Sequence, residues 1–171
     1  MTWFYRLVLL GFFVSCTVDE PADSFGLNFY YEVNFGNVRF QADPGLYHQL
    51  NFARSSKPVC QTPISIQGMK RTGDILTLRV NRSASCTGNY RLVWDGSVQE
   101  SSPERVQIYL YPELANCSSS GSLTVDVLEI DLKKAFQTMN PQMVDRMYLY
   151  VREYCNFMDY LCEGDCELIK N

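Results

Sequence analysis

The chain has 171 residues, a formal charge of −4 and hydrophobic residues at 46 % of positions. That is enough for one domain with a real core. No run of Lys or Arg offers a stripe for tracking phosphates, so nucleic acid is excluded as an expected partner, and the dispersed acidic residues serve solubility more than recognition.

Arg6, the apolar stretch 7–14, Ser15, Cys16 and the polar Thr17-Val18-Asp19-Glu20 read as the n-region, h-region, cleavage site and mature start of an export signal. An apolar helix needs about 20 residues to cross a bilayer, and this run is roughly half that. It targets the chain and does not anchor it as a helix. Phe13-Val14-Ser15-Cys16 resembles the lipobox of bacterial lipoproteins, with Phe13 where Leu is commonest. The resemblance implies that residues 1–15 are removed as a lipoprotein signal peptide. It also implies that Cys16 is lipidated and that acyl chains such as palmitate attach the protein to a membrane, either the bacterial outer membrane or the cell surface. The other reading is an ordinary secretory signal cut after Cys16, which leaves a freely secreted chain. Once Arg6 leaves with the leader, the charge becomes −5. Residues 16–24 then form an acidic tether containing Pro21, and the folded domain spans 25–171, starting near Phe25.

From there the dominant pattern is alternation with period two, bounded by Gly, Asn, Asp, Ser and Pro. Residues 27–35 and 38–41 flank Gly36-Asn37 and predict a hairpin. Asp43-Pro44-Gly45 predicts a chain reversal, and 47–52 and 64–69 are weaker strand candidates. In 74–80, Leu76, Leu78 and Val80 face one way and Thr77 and Arg79 the other. Tyr90, Leu92 and Trp94 share a face in the next segment, as do Val106, Ile108 and Leu110 before Pro112. Leu123, Val125 and Val127 hand their parity to Leu128, Ile130 and Leu132, which predicts a bulge near Val127. Residues 132–138 predict a short helix. Residues 142–154 carry both a helix start at Asn140-Pro141 and strand alternation, and are read as a closing strand. The fold expected is all-β, an antiparallel β-sandwich with an immunoglobulin-like or barrel-like arrangement as the alternative, one short helix and disulfide bonds.

Setting Cys16 aside leaves Cys60, Cys86, Cys117, Cys155, Cys162 and Cys166. Six cysteines in an exported chain argue for disulfides, and fifteen pairings are open. The stretch 73–132 is similar to a domain of bacterial surface lipoproteins of uncharacterised function. The likeness lies in the order Gly73-Asp74-Ile75-Leu76-Thr77-Leu78, Cys86, Tyr90-Arg91-Leu92-Val93-Trp94-Asp95-Gly96, Ser102-Pro103, Cys117 and Leu128-Glu129-Ile130-Asp131-Leu132. Relatives tend to carry paired glycines before the first cysteine and a His after it. Ala84-Ser85 stands there instead, and no His follows. The resemblance implies a Cys86–Cys117 bridge, worth roughly 3–4 kcal/mol by chain entropy. It implies location and fold and brings no activity.

Chemistry is sparse. His48 is the chain's one imidazole, with no Gly-x-Ser-x-Gly elbow, no His-Glu-x-x-His and no phosphate-cradling glycine loop, so no catalytic residue, metal or cofactor is expected. The sequons Asn81-Arg82-Ser83 and Asn116-Cys117-Ser118 would matter in a eukaryotic secretory route and are chance matches in a bacterium. Eleven Tyr and ten Phe are many for a core this size. Tyr30, Tyr31, Tyr109 and Tyr111, with Tyr148 and Tyr150, are candidates for an aromatic binding surface, although strand aromatics more often fill a sandwich. The expected role is a lipid-anchored envelope binding or structural module without catalysis, with a protein or glycan ligand. A secreted protein that binds or inhibits another protein is the alternative, and an envelope hydrolase comes third.

Overall fold

The computed structural model describes residues 29–56, 60, 63–118 and 122–169. The expected leader 1–15, Cys16, the tether 16–24 and the first residues of the 27–35 segment lie outside them. β1 (Tyr31–Phe35) and β2 (Val38–Ala42) form the hairpin that Gly36-Asn37 predicts, with Gly36 at φ +61°, as a two-residue turn opening on glycine requires. α1 (Pro44–Ser55) follows, then β3 (Ser65–Thr72), β4 (Ile75–Ser83), β5 (Thr87–Trp94), β6 (Arg105–Ala115) and β7 (Leu123–Asp131). α2 (Leu132–Ala135), α3 (Pro141–Arg146), β8 (Tyr148–Glu153), β9 (Asp159–Glu163) and β10 (Cys166–Ile169) complete the order.

The strands build two sheets, ordered β1-β2-β5-β6-β8-β9 and β10-β3-β4-β7, stacked as a sandwich. The four-stranded sheet is antiparallel throughout. The six-stranded sheet corrects the antiparallel expectation, because β2 pairs with β5 and β6 with β8 in parallel. Each parallel pair spans an excursion of the chain through the other sheet, which supplies the long crossover that parallel neighbours need. Period-two alternation is the same for either direction, so it carries no information about strand sense.

Four further expectations change. Residues 47–52 are helical, because Asp43 is an N-cap whose Oδ1 accepts from the Leu46 amide at 2.8 Å and Pro44 occupies the first turn. The segment 142–154 divides. Asn140 caps α3, and the alternation begins only at β8. Three helices therefore stand among the described residues where one was expected, and α2 covers the start of the predicted 132–138 helix. No bulge occurs at Val127, since β4 and β7 stay in register from Ile75↔Asp131 to Ser83↔Leu123. Leu123, Val125 and Val127 face outward instead, at 71, 40 and 53 % exposure. The irregularity lies in β3, between Ile66 and Gly68.

The inward rows predicted from 74–80, 90–94 and 106–110 are buried as expected. Phe40, Trp94 and Phe136 form an aromatic centre, with the Phe136 ring 5.0 Å from each of the other two. Six cysteines pair as Cys60–Cys155, Cys86–Cys117 and Cys162–Cys166. The first closes 95 residues, for which chain entropy gives about 4–5 kcal/mol. The second is the bridge the resemblance implied.

Two buried polar groups and one half-buried carboxylate tie elements across the core. Arg71, 2 % exposed, donates to the carbonyls of Val144 at 2.6 Å, Met147 at 2.9 Å and Asp145 at 3.2 Å, satisfying the end of α3, and to Gly73 at 3.1 Å. Glu153, fully buried on β8, accepts from the Ile66 amide at the β3 irregularity and from the Tyr160 hydroxyl. Asp126 accepts from Arg82 Nε at 2.6 Å and from the Tyr90 hydroxyl at 2.8 Å. Burial pushes the Asp126 carboxyl up, and those two donors outweigh it and hold it below its ordinary 3.8.

Arg71→Met should cost about 3 kcal/mol, lowering Tm by about 10 °C in calorimetry, because the α3 carbonyls are left buried and unsatisfied. For Asp126 the folded carboxyl is the stronger acid, so its contribution is complete above an unfolded pKa of about 4 and fades as pH falls through the lower folded value. Asp126→Asn should lose about 2 kcal/mol at neutral pH and show a flatter loss of stability below pH 4 than the wild type in urea titrations.

Candidate functional site

Strand alternation that sends Val106, Ile108, Leu149 and Val151 inward sends Gln107, Tyr109, Tyr148, Tyr150 and Arg152 to the outer face of the six-stranded sheet. Register lines them up in three rows. Tyr109, Arg152 and Asp159 form one, Gln107, Tyr150 and Leu161 the next, and Arg105, Tyr148 and Glu163 the last. α1 lies along one side of these rows. Its Tyr47 and Leu50 pack with Val93 and Tyr109 into a small second core. The helix becomes a wall and the strands a floor, so the uncovered rows form a shelf.

The corner of the shelf is a network of hydrogen bonds. Asn51 Oδ1 accepts from the Tyr109 hydroxyl at 2.7 Å and from Arg152 Nη1 at 3.4 Å. Gln107 Oε1 accepts from Arg152 Nη1 at 3.2 Å and from the Tyr47 hydroxyl at 3.4 Å. A guanidinium has donors only, so both amide oxygens must face Arg152 and both NH₂ groups turn away from it. Neither NH₂ has a partner among the described residues. Asp159 is held by Arg54 Nη2 at 2.6 Å and shared with Arg152 at 3.4 Å. Two guanidinium charges therefore meet one carboxylate, and both also lie near the Tyr109 ring, at 5.8 and 5.2 Å from its centroid.

Burial pushes the Tyr47 phenol up to about 12, with the Asp95 charge adding to it and Arg152 opposing. Burial works against the Arg152 charge, and the Tyr109 phenol and Asp159 outweigh it, so the guanidinium stays protonated. His48 is exposed on α1 and makes an edge contact with the Tyr47 ring at 6.2 Å. Among the described residues no group of three His, Cys, Asp or Glu is placed to hold a metal ion. An open hollow of about 550 Å³ between the β1–β2 turn and β7 is lined by Phe35, Gly36, Asn37, Val127 and Glu129, and offers a single charged side chain.

The aromatic surface expected from Tyr30, Tyr31, Tyr109 and Tyr111 does not assemble. Tyr30 is 58 % exposed and donates to Glu32, while Tyr31 turns inward and donates to the Ala135 carbonyl at 2.6 Å. Burial pushes the Tyr31 phenol up to about 12. Tyr109 is fully buried beneath α1, and Tyr111 packs against Tyr154 with centroids 5.2 Å apart. Tyr148 and Tyr150 do lie together, on the shelf. The sequence reading missed Asn51, Gln107, Arg152 and Asp159. Gln107 and Arg152 were legible as residues of opposite parity to buried neighbours, whereas Asn51 reaches the site only because α1 is a helix.

Neither protein-family models nor curated proteins match the chain. Among solved structures it is similar to a DUF1344 protein of unknown function from Bacteroides vulgatus, at 13 % identity and a TM-score of 0.39, over 67 % of this chain. The likeness spans about half of that protein, 53 % of its chain, and is too slight to inform function.

The Tyr47 phenol, raised above its ordinary 10.0, favours the folded state below pH 10, and that contribution fades as pH climbs toward 12. Tyr47→Phe should remove one phenol from the latest part of the alkaline phenolate absorbance titration and none from the part near pH 10.

Proposed function

We propose that the protein is a lipid-anchored, non-enzymatic binding module of a bacterial envelope, and that it engages its ligand on the shelf between α1 and β8. The observation that carries the binding reading is the pair of solvent-turned amide donors beside Arg152, adjoining the rings of Tyr148 and Tyr150. Groups that bind need to be fixed before the ligand arrives, and here the second hydrogen-bonding atom of each amide is already engaged. The three disulfides support export to an oxidising compartment. The lipobox-like Phe13-Val14-Ser15-Cys16 supports attachment through acyl chains, which bind a membrane by burying methylenes. Catalysis has little support on the shelf, because His48 hydrogen-bonds to none of the described groups there.

Intact mass of the natively expressed protein tests the anchor. Diacylglyceryl and acyl mass on an N-terminal Cys16 is expected, and a chain starting at an unmodified Thr17 would show a secreted protein instead.

A further inference from the structure

The corner of the shelf around Arg152 is rich in hydrogen-bond donors. Arg152 Nη2 takes no part in the bonds to Asn51, Gln107 and Asp159, the Tyr47 hydroxyl lies beside the guanidinium, and the NH₂ groups of Gln107 and Asn51 are turned outward from it. All three present N–H donors, and the acceptor atoms of both amides are consumed holding the guanidinium in place. Asp159, with its side chain 40 % exposed, accepts from Arg54 Nη2 at 2.6 Å and from Arg152 Nε at 3.4 Å, so it neutralises part of the charge of the two guanidinium groups. Arg105 adds a third cation two residues before Gln107 on the same face, with Glu163 across Tyr148 from it. Three cations against the two carboxylates Asp159 and Glu163 leave a positive balance, and a ligand carboxylate accepts hydrogen bonds from these donors and offsets that charge.

The second half of the shelf is aromatic. Tyr148 and Tyr150 point the same way on β8, spaced roughly 7 Å apart by the two-residue rise of a strand. Each is partly exposed, and neither hydroxyl has a partner among the described residues. Phenol rings present an electron-rich face that attracts polarised C–H groups, and the flat face of a pyranose ring supplies them. A peptide carboxylate would satisfy the donor corner and leave the paired rings without an equivalent flat partner.

We propose that the shelf binds an anionic saccharide, with the carboxylate of a uronic acid taken by Arg152, Gln107 and Asn51 and the sugar faces laid on Tyr150 and Tyr148. This rests on reading the shelf as a binding surface and adds the chemistry of its ligand. Specificity for acid over neutral sugar comes from the donor corner, because a ligand without a carboxylate leaves the charged donors unpaired on desolvation. The rings supply area at small entropic cost.

Calorimetric titration of the full chain with oligogalacturonate, a neutral galactan oligomer and polyglutamate tests this, at low and high salt. Oligogalacturonate should bind, more weakly as salt rises, and the other two should not. Gln107→Glu preserves the oxygen facing Arg152 and replaces the outward NH₂ by a carboxylate oxygen, so affinity should fall at least tenfold with Tm little changed. Tyr150→Ala should also weaken binding at least tenfold. Oligogalacturonate failing to bind, or binding both variants as tightly as the wild type, overturns the proposal. If galactan or polyglutamate binds in its place and Gln107→Glu changes that affinity, the shelf is a binding surface for other chemistry. If all three probes ignore the three proteins, the acidic-saccharide ligand and the shelf's binding role both fall.

Discussion

Desolvation of one row of side chains per strand is the constraint from which the rest of this structure follows. Two sheets bury Phe40, Leu78, Leu92, Ile108 and Val151 between them, and each buried residue commits its two strand neighbours to the opposite face. The outer face of the six-stranded sheet is therefore set by what the core needs. Where that face carries Val93 and Tyr109 it is apolar enough to require cover, and α1 supplies it. Beyond the edge of the helix the face turns polar and aromatic, and there it stays open. The shelf is the part of the outer face that α1 leaves uncovered, and its wall and floor are held by the same packing.

Hydrophobic burial has no direction, and this sandwich uses directional bonds where orientation matters. The Arg71 guanidinium reaches from β3 to the end of α3, a helix of six residues too short to persist without such support. Glu153 joins β8 to the irregular stretch of β3, linking the two sheets through a carboxylate. Asp126, Arg82 and Tyr90 do the same between β7, β4 and β5. The Cys162–Cys166 bridge closes the corner at which the chain leaves the six-stranded sheet for the four-stranded one. Cys60–Cys155 fastens the connection after α1 to the end of β8, the strand that carries the shelf. The 95-residue separation closed by Cys60–Cys155 restricts the unfolded chain more than the four-residue separation closed by Cys162–Cys166.

Residue order alone determined which segments are extended and which of their faces lie inside, since the period of two at 74–80, 90–94 and 106–110 is a local property of the backbone. It determined the first hairpin, through Gly36-Asn37, and the presence of disulfides through an even set of six cysteines. Local readings went astray where two signals share residues. Asp43-Pro44 serves equally as a turn or as a helix start, and Leu123, Val125 and Val127 looked like core because outward apolar residues on a strand carry the same pattern as inward ones. Only the tertiary structure decided strand direction, the partner of each cysteine beyond the implied Cys86–Cys117 pair, and the meeting of Asn51, Gln107 and Arg152. Those three stand 45 to 101 residues apart, and nothing local couples them. They converge because burying α1 against Val93 and Tyr109 fixes where its exposed edge must lie.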